Sequence, residues 1–215
     1  MLRHSSTGDN VAAVAGDRVT VAREVEHEDV VEGSRFIARV RPVSSVAEAE
    51  ELVAEVRRRH PDATHNCWAY RVGEAVRFSD DGEPGGTAGR PMLEVMLKRG
   101  IDGCAAVVTR YFGGKKLGAG GLVRAYGGAV ARALDAAGVR RLTAYHRLRV
   151  RAPFASSAAV LRELRGAAPA FDERGLVAEV SVPASEAEAL RARLAELTRG
   201  EAEVELVEVE EGPAA

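Results

Sequence analysis

A chain of 215 residues can form one large domain or two small ones, and either can bury a real core. Its 46% hydrophobic and 29% charged content fits an ordinary globular protein, and two cysteines 37 positions apart argue against zinc and disulfide scaffolds. The net charge of −2 hides a segregation: residues 1–89 carry 11 basic against 16 acidic residues, 90–151 carry 13 against 3, and 152–215 carry 6 against 13.

Met1 to Gly16, small and polar, reads as a frayed tail without the apolar core of a signal peptide. Asp17 to Glu26 alternates as one strand, and Arg35 to Val43 as a second, with Phe36, Ala38 and Val40 on one face. Ser45 opens a capping box with Glu48, and the helix that follows runs to Arg59 on Ala49, Leu52, Val53 and Val56. Thr64–Val72 and Ala75–Ser79 form a hairpin around Gly73-Glu74, followed by a turn-rich loop from Asp80 to Gly89. A short helix begins at Pro91 and stops at Gly100; an apolar strand from Cys104 to Val108 follows.

Beyond that strand lies the most informative stretch, Val107 to Ala129, in which seven of 23 residues are glycine and Arg110, Lys115, Lys116 and Arg124 are basic. It leads into a helix that Gly138 ends. A cationic, glycine-rich turn at a helix start presents N–H groups and positive charge to an anion. The stretch fails as a P-loop, because no Ser or Thr follows the Gly-Lys, and as a dinucleotide fingerprint.

From Leu142 onward the rhythm is strand (to Arg151), helix (Pro153–Arg165), two strands about Arg174-Gly175, helix (Ala184–Leu197) and strand (Ala202–Val209). That is βαββαβ, the ferredoxin-like order. The expected layout is a tail over 1–16, an α/β domain over 17–138 and a ferredoxin-like domain over 142–210, an α+β class with two domains.

Other candidate chemistry is thin. Asp80, Asp81 and Glu83 could hold a metal, although a hydrated turn is the favoured reading. Cys67 reads as a buried small hydrophobe rather than a nucleophile for His65. No catalytic constellation, metal site or cofactor is expected. Phe112 and Tyr126 read as packing beside the loop; Tyr111 stays open between packing and stacking. Arg147, Arg149 and Arg151 fall on one strand face and would extend a basic surface.

Gly33-Ser34-Arg35-Phe36-Ile37, Asp62 to Cys67, Ser79 to Pro91 and Thr109 to Tyr126 together resemble the YigZ/IMPACT family over about residues 17–138, with the ferredoxin-like segment of its bacterial members behind. The resemblance implies a first domain similar to the ribosomal-protein-like fourth domain of elongation factor G. It also implies kinship with eukaryotic translation regulators that restrain a stress kinase, and it carries no catalytic residues. The function expected is therefore a cytoplasmic, non-catalytic RNA- or ribosome-associated protein regulating translation or a stress response, with no membrane partner. Arg90, Arg110, Lys115, Lys116 and Arg124 would contact phosphate, with Tyr111 as a stacking candidate. The alternatives are an enzyme on a small phosphorylated substrate, with a metal in the Asp80-Asp81-Glu83 loop, and a module for an acidic protein partner.

Overall fold

The computed structural model describes residues 18–213, so the N-terminal tail lies outside the described residues. The chain has a mixed α+β architecture and divides into two compact units, at Arg141/Leu142.

In the first unit, β1 (Arg18–Val21) precedes a five-stranded antiparallel sheet. Its strands are β2 (Val25–Val31), β3 (Ser34–Pro42), β4 (His65–Val72), β5 (Ala75–Ser79) and β6 (Cys104–Tyr111), in the spatial order β2-β3-β6-β4-β5. The single strand expected over Asp17–Glu26 is in fact two, and β2 continues to Val31. Its sequence, VEHEDVV, is too charged to announce a strand, which suits an edge that must stay unpaired on one side.

Helix α1 (Val46–Arg59) packs Ala49, Leu52, Val53 and Val56 against Tyr70, Ala105 and Val107 on one face. The opposite face carries α2 (Gly89–Lys98) and α3 (Gly118–Ala137), whose Met92, Met96, Leu122, Tyr126, Ala129 and Ala133 meet Phe36, Val40, Cys67, Ala106 and Val108. Central strand β6 is therefore covered on both sides, which explains its nearly continuous apolar run. Half of the glycine stretch is helix rather than loop: Gly118, Gly120 and Gly121 fall in the first turn of α3. Gly127 lies farther along, where a Cβ would reach 3.6 Å from Val95 on α2.

The second unit pairs β7 (Val139–Ala152), β8 (Pro169–Asp172), β9 (Gly175–Pro183) and β10 (Glu203–Pro213) in the order β10-β7-β9-β8, the ferredoxin-like arrangement. Its helices α4 (Ser157–Glu163) and α5 (Ala184–Leu197) contribute Val160, Ala187, Leu190 and Leu194 to a core with Leu148, Val150, Leu176 and Ala178.

Arg147, Arg149 and Arg151 do share a face of β7, but they form no free basic surface. Arg147 pairs with Glu208 and Glu210, Arg149 with Glu179 at 2.8 Å, and Arg151 with Asp172 at 2.5 Å. A bulge between Leu206 and Glu208 shifts the phase of β10, so Glu208 and Glu210 meet the same row of arginines as Glu203 and Glu205. The acidic composition of the second unit is what neutralises this strand.

Candidate functional site

Strand register assembles the site. Arg110 on β6 stands opposite Phe36 on β3 and opposite His65 on β4, and side chains of paired positions project to one face. That face is the one covered by α2 and α3. A guanidinium there must find a counter-charge, because an unpaired buried charge is prohibitive. Glu83 supplies it from the loop between β5 and α2: Arg110 Nη1 donates to Glu83 Oε1 at 2.6 Å, and the two side chains are only 7% and 3% exposed. Tyr126 on α3 donates its hydroxyl to the same oxygen at 2.7 Å. Burial first, then the nearby Cys67 and Glu83, push the Tyr126 phenol far above its ordinary range, so it remains a donor. Ser34 Oγ accepts from the Gly113 N–H at 3.1 Å and lies 3.5 Å from Arg110 Nη2, tying the node to the glycine turn.

The three loop carboxylates have separate structural tasks. Asp80 caps α2, whose own Ncap residue Ala88 offers no side-chain acceptor; its Oδ1 accepts from Ala88 and Gly89 at 3.0 and 2.9 Å, and Oδ2 accepts from Gly86 at 2.8 Å. Asp81 takes the Asn66 N–H at 2.7 Å and pairs with Arg57 at 2.6 Å. With Glu83 committed to Arg110, the metal-dependent alternative has no ligand set, and no group of three or more candidate ligands occurs among the described residues. The thiol of Cys67 donates to Asp80 O at 3.0 Å, and burial pushes its pKa up to about 12, far from an activated nucleophile.

Above this node opens a cleft of about 440 Å³, lined by Thr64, His65, Glu83, Pro84, Arg110, Phe112 and the start of α3 from Lys116 to Leu122. The N-terminus of α3 has no side-chain cap, and Gly118, Ala119 and Gly120 are exposed there. Its free N–H groups and helix dipole make it electropositive. Lys116 and Leu117 form a ridge shared with a neighbouring cleft of about 360 Å³, whose other side carries Lys115, Arg124 and Arg132.

The Impact N-terminal domain matches residues 32–134, which contain every group of this site. The chain is 37% identical to the IMPACT family member YigZ of Escherichia coli over 208 positions, covering 90% of this chain and 95% of that protein. The chain belongs to the IMPACT family. It is also 54% identical over 123 residues to the IMPACT family member YvyE of Bacillus subtilis, a match spanning 57% of that protein's length. A crystal structure titled as that of a hypothetical protein shares 32% identity and a TM-score of 0.62, covering 91% of this chain.

Within this IMPACT domain the basic candidates part company. Lys116 and Arg124 have no ion pair among the described residues and both reach the clefts. Lys115 is paired with Glu32, and Arg90 with Glu94 one turn along α2 at 3.2 Å. Arg110, read from sequence as a phosphate contact, is buried and held by Glu83; it acts on the turn from beneath. Tyr111 donates to Asp62 at 3.4 Å, contacts His60 at 2.9 Å and has Arg35 over its ring at 5.5 Å. Phe112, expected in the core, is instead 47% exposed at the cleft, while Tyr126 is fully buried. Glu83 was missed as a partner of Arg110; the available signal was an arginine closing an otherwise apolar central strand, which demands a buried carboxylate somewhere.

Proposed function

We propose that this IMPACT family member binds single-stranded RNA, free or within the ribosome, and acts on translation without catalysing a reaction. The observation that carries this reading is the pair Lys116 and Arg124, cations without carboxylate partners among the described residues, beside the uncapped, glycine-rich start of α3. A helix N-terminus with close backbone access is a phosphate cradle, and two mobile cations beside it extend the contact along a polyanion. Exposed Phe112 at the same cleft offers a face on which a base can stack.

Fluorescence anisotropy with a labelled single-stranded RNA tests the reading. Replacing Lys116 and Arg124 together by alanine is expected to weaken binding at least tenfold at low salt, from two lost phosphate contacts. Unchanged affinity in that double variant removes the site from the account.

A further inference from the structure

The cleft beneath Lys116 has a chemical demand that phosphate alone does not meet. Glu83 Oε1 accepts from both Arg110 and Tyr126, but Oε2 has no hydrogen bond among the described residues, and His65 Nε2 lies 3.9 Å from it. His65 Nδ1 lies 2.8 Å from the Asp81 carbonyl oxygen, which can only accept, so Nδ1 carries the ring proton. In the neutral ring Nε2 is then a bare acceptor. Among the described residues the two acceptors, 3.9 Å apart and both lining the cleft, share no protein donor. Both acceptors line the open cleft, where the N–H or O–H groups of a ligand can bind them.

The rest of the cleft says what else such a ligand carries. Pro84, Phe112, Leu117 and Leu122 are apolar walls suited to a flat ring, and the start of α3 with Lys116 suits a phosphate at the rim. The volume, about 440 Å³, lies in the range of small-molecule sites. We propose that this cleft is a nucleotide pocket: an unstacked base enters between Phe112 and Leu122, its amino group donates to Glu83 Oε2 and His65 Nε2, and its phosphate rests at the α3 N-terminus beside Lys116. The phosphate end rests on the RNA-binding reading; the base end rests on the unmet acceptors. Cytosine and uracil separate the two ends cleanly. They have one shape, but the cytosine amino group is a donor where uracil presents a carbonyl acceptor.

The test is calorimetric titration of the full chain with cytidine 5′-monophosphate, uridine 5′-monophosphate and inorganic phosphate. Cytidine monophosphate is expected to bind about tenfold more tightly than uridine monophosphate, because a carbonyl aimed at the pair is a third acceptor that makes neither hydrogen bond and displaces the water that did. Inorganic phosphate binds most weakly. In His65→Ala the ratio of the two nucleotides should fall towards one with phosphate affinity unchanged, whereas Lys116→Ala should weaken all three alike. His65 is half-buried, so this variant serves where Glu83→Gln unfolds the domain. Equal affinity for both nucleotides, or a ratio that survives His65→Ala, overturns the pocket. RNA binding that persists with no mononucleotide preference sinks this inference alone and leaves the RNA reading standing. Mononucleotide preference without RNA binding keeps the pocket and removes the polymer.

Discussion

Glu83 and Arg110, 27 residues apart in sequence, meet at 2.6 Å beneath the glycine turn, with Tyr126 donating to the same carboxylate oxygen. The pair joins the β5–α2 loop, the central strand and α3. Removing one partner leaves the other charge buried and uncompensated, a loss of about 3–5 kcal/mol. Arg110→Met and Glu83→Gln are each expected to lower stability on that scale in urea unfolding, while Tyr126→Phe costs only about 1 kcal/mol for one hydrogen bond. The double variant Glu83→Gln/Arg110→Met should be less damaged than the two single losses added together. Full additivity would mean that the pair is not a coupled unit.

Asp80 accepts three backbone N–H groups at the start of α2, so Asp80→Ala should destabilise by about 1–2 kcal/mol, the upper part of the range for a lost helix cap. Asp80→Asn keeps an acceptor and should lose less. Magnesium chloride titrated against matched ionic strength should leave the melting temperature of the parent chain unchanged. A specific rise that Asp80→Ala abolishes would restore the metal reading of this loop.

How far the sequence carried depends on whether a feature is local. The Ser45–Glu48 box is formed as read, with Glu48 N donating to Ser45 Oγ at 3.2 Å; its return bond goes to the N–H of Ser44. The order βαββαβ was legible because each element has its own period and turn residues. The site was only half legible. The strongly basic middle segment suggested a broad cationic face, yet Arg99 meets Asp135, Arg110 meets Glu83, Lys115 meets Glu32 and Arg132 meets Asp29. Three of these four acids come from the first 89 residues, across the sheet or the hairpin. Much of the charge segregated along the chain is thus cancelled in space, and only register and loop placement reveal that Lys116 and Arg124, beside the start of α3, keep no carboxylate among the described residues.

Gly113 is fixed by backbone contact. A Cβ built there would lie 2.0 Å from the carbonyl carbon of Gly33, where main chain cannot give way as a side-chain tip could. Gly113→Ala should cost at least about 3 kcal/mol or prevent folding, as overpacking against rigid neighbours does. At Gly114 an added Cβ meets nothing within 4 Å, and only its φ of +89° opposes a side chain. Gly114→Ala should therefore lose just about 1–2 kcal/mol. Comparable losses at the two positions would show that conformation, not contact, governs both.

Burial raises the thiols of Cys67 and Cys104 from an ordinary 9.0 to about 12. Both should resist alkylation at pH 8 in the native chain and react once it is unfolded. The linkage has a definite sign. Above pH 9 the unfolded chain loses these protons while the folded chain keeps them, so the unfolded state binds fewer protons and stability falls with rising pH. The contribution is whole below pH 9 and declines between about pH 9 and pH 12. Replacing both cysteines by alanine should flatten that alkaline decline. A decline unchanged in the double variant would assign it to other groups.

Salt dependence discriminates between free and paired cations. Lys116 and Arg124 keep no carboxylate among the described residues, whereas Arg149 is held by Glu179 at 2.8 Å and faces Glu205 at 4.0 Å. A guanidinium already neutralised has little to offer a phosphate, since binding would first have to break its own pair. Each phosphate contact on single-stranded RNA contributes about −0.7 to the slope of log affinity against log salt. Lys116→Ala and Arg124→Ala should each make the slope shallower by about that amount, and Arg149→Ala should leave it unchanged. A slope that responds to Arg149 instead would move the RNA contact onto the second unit and away from the start of α3.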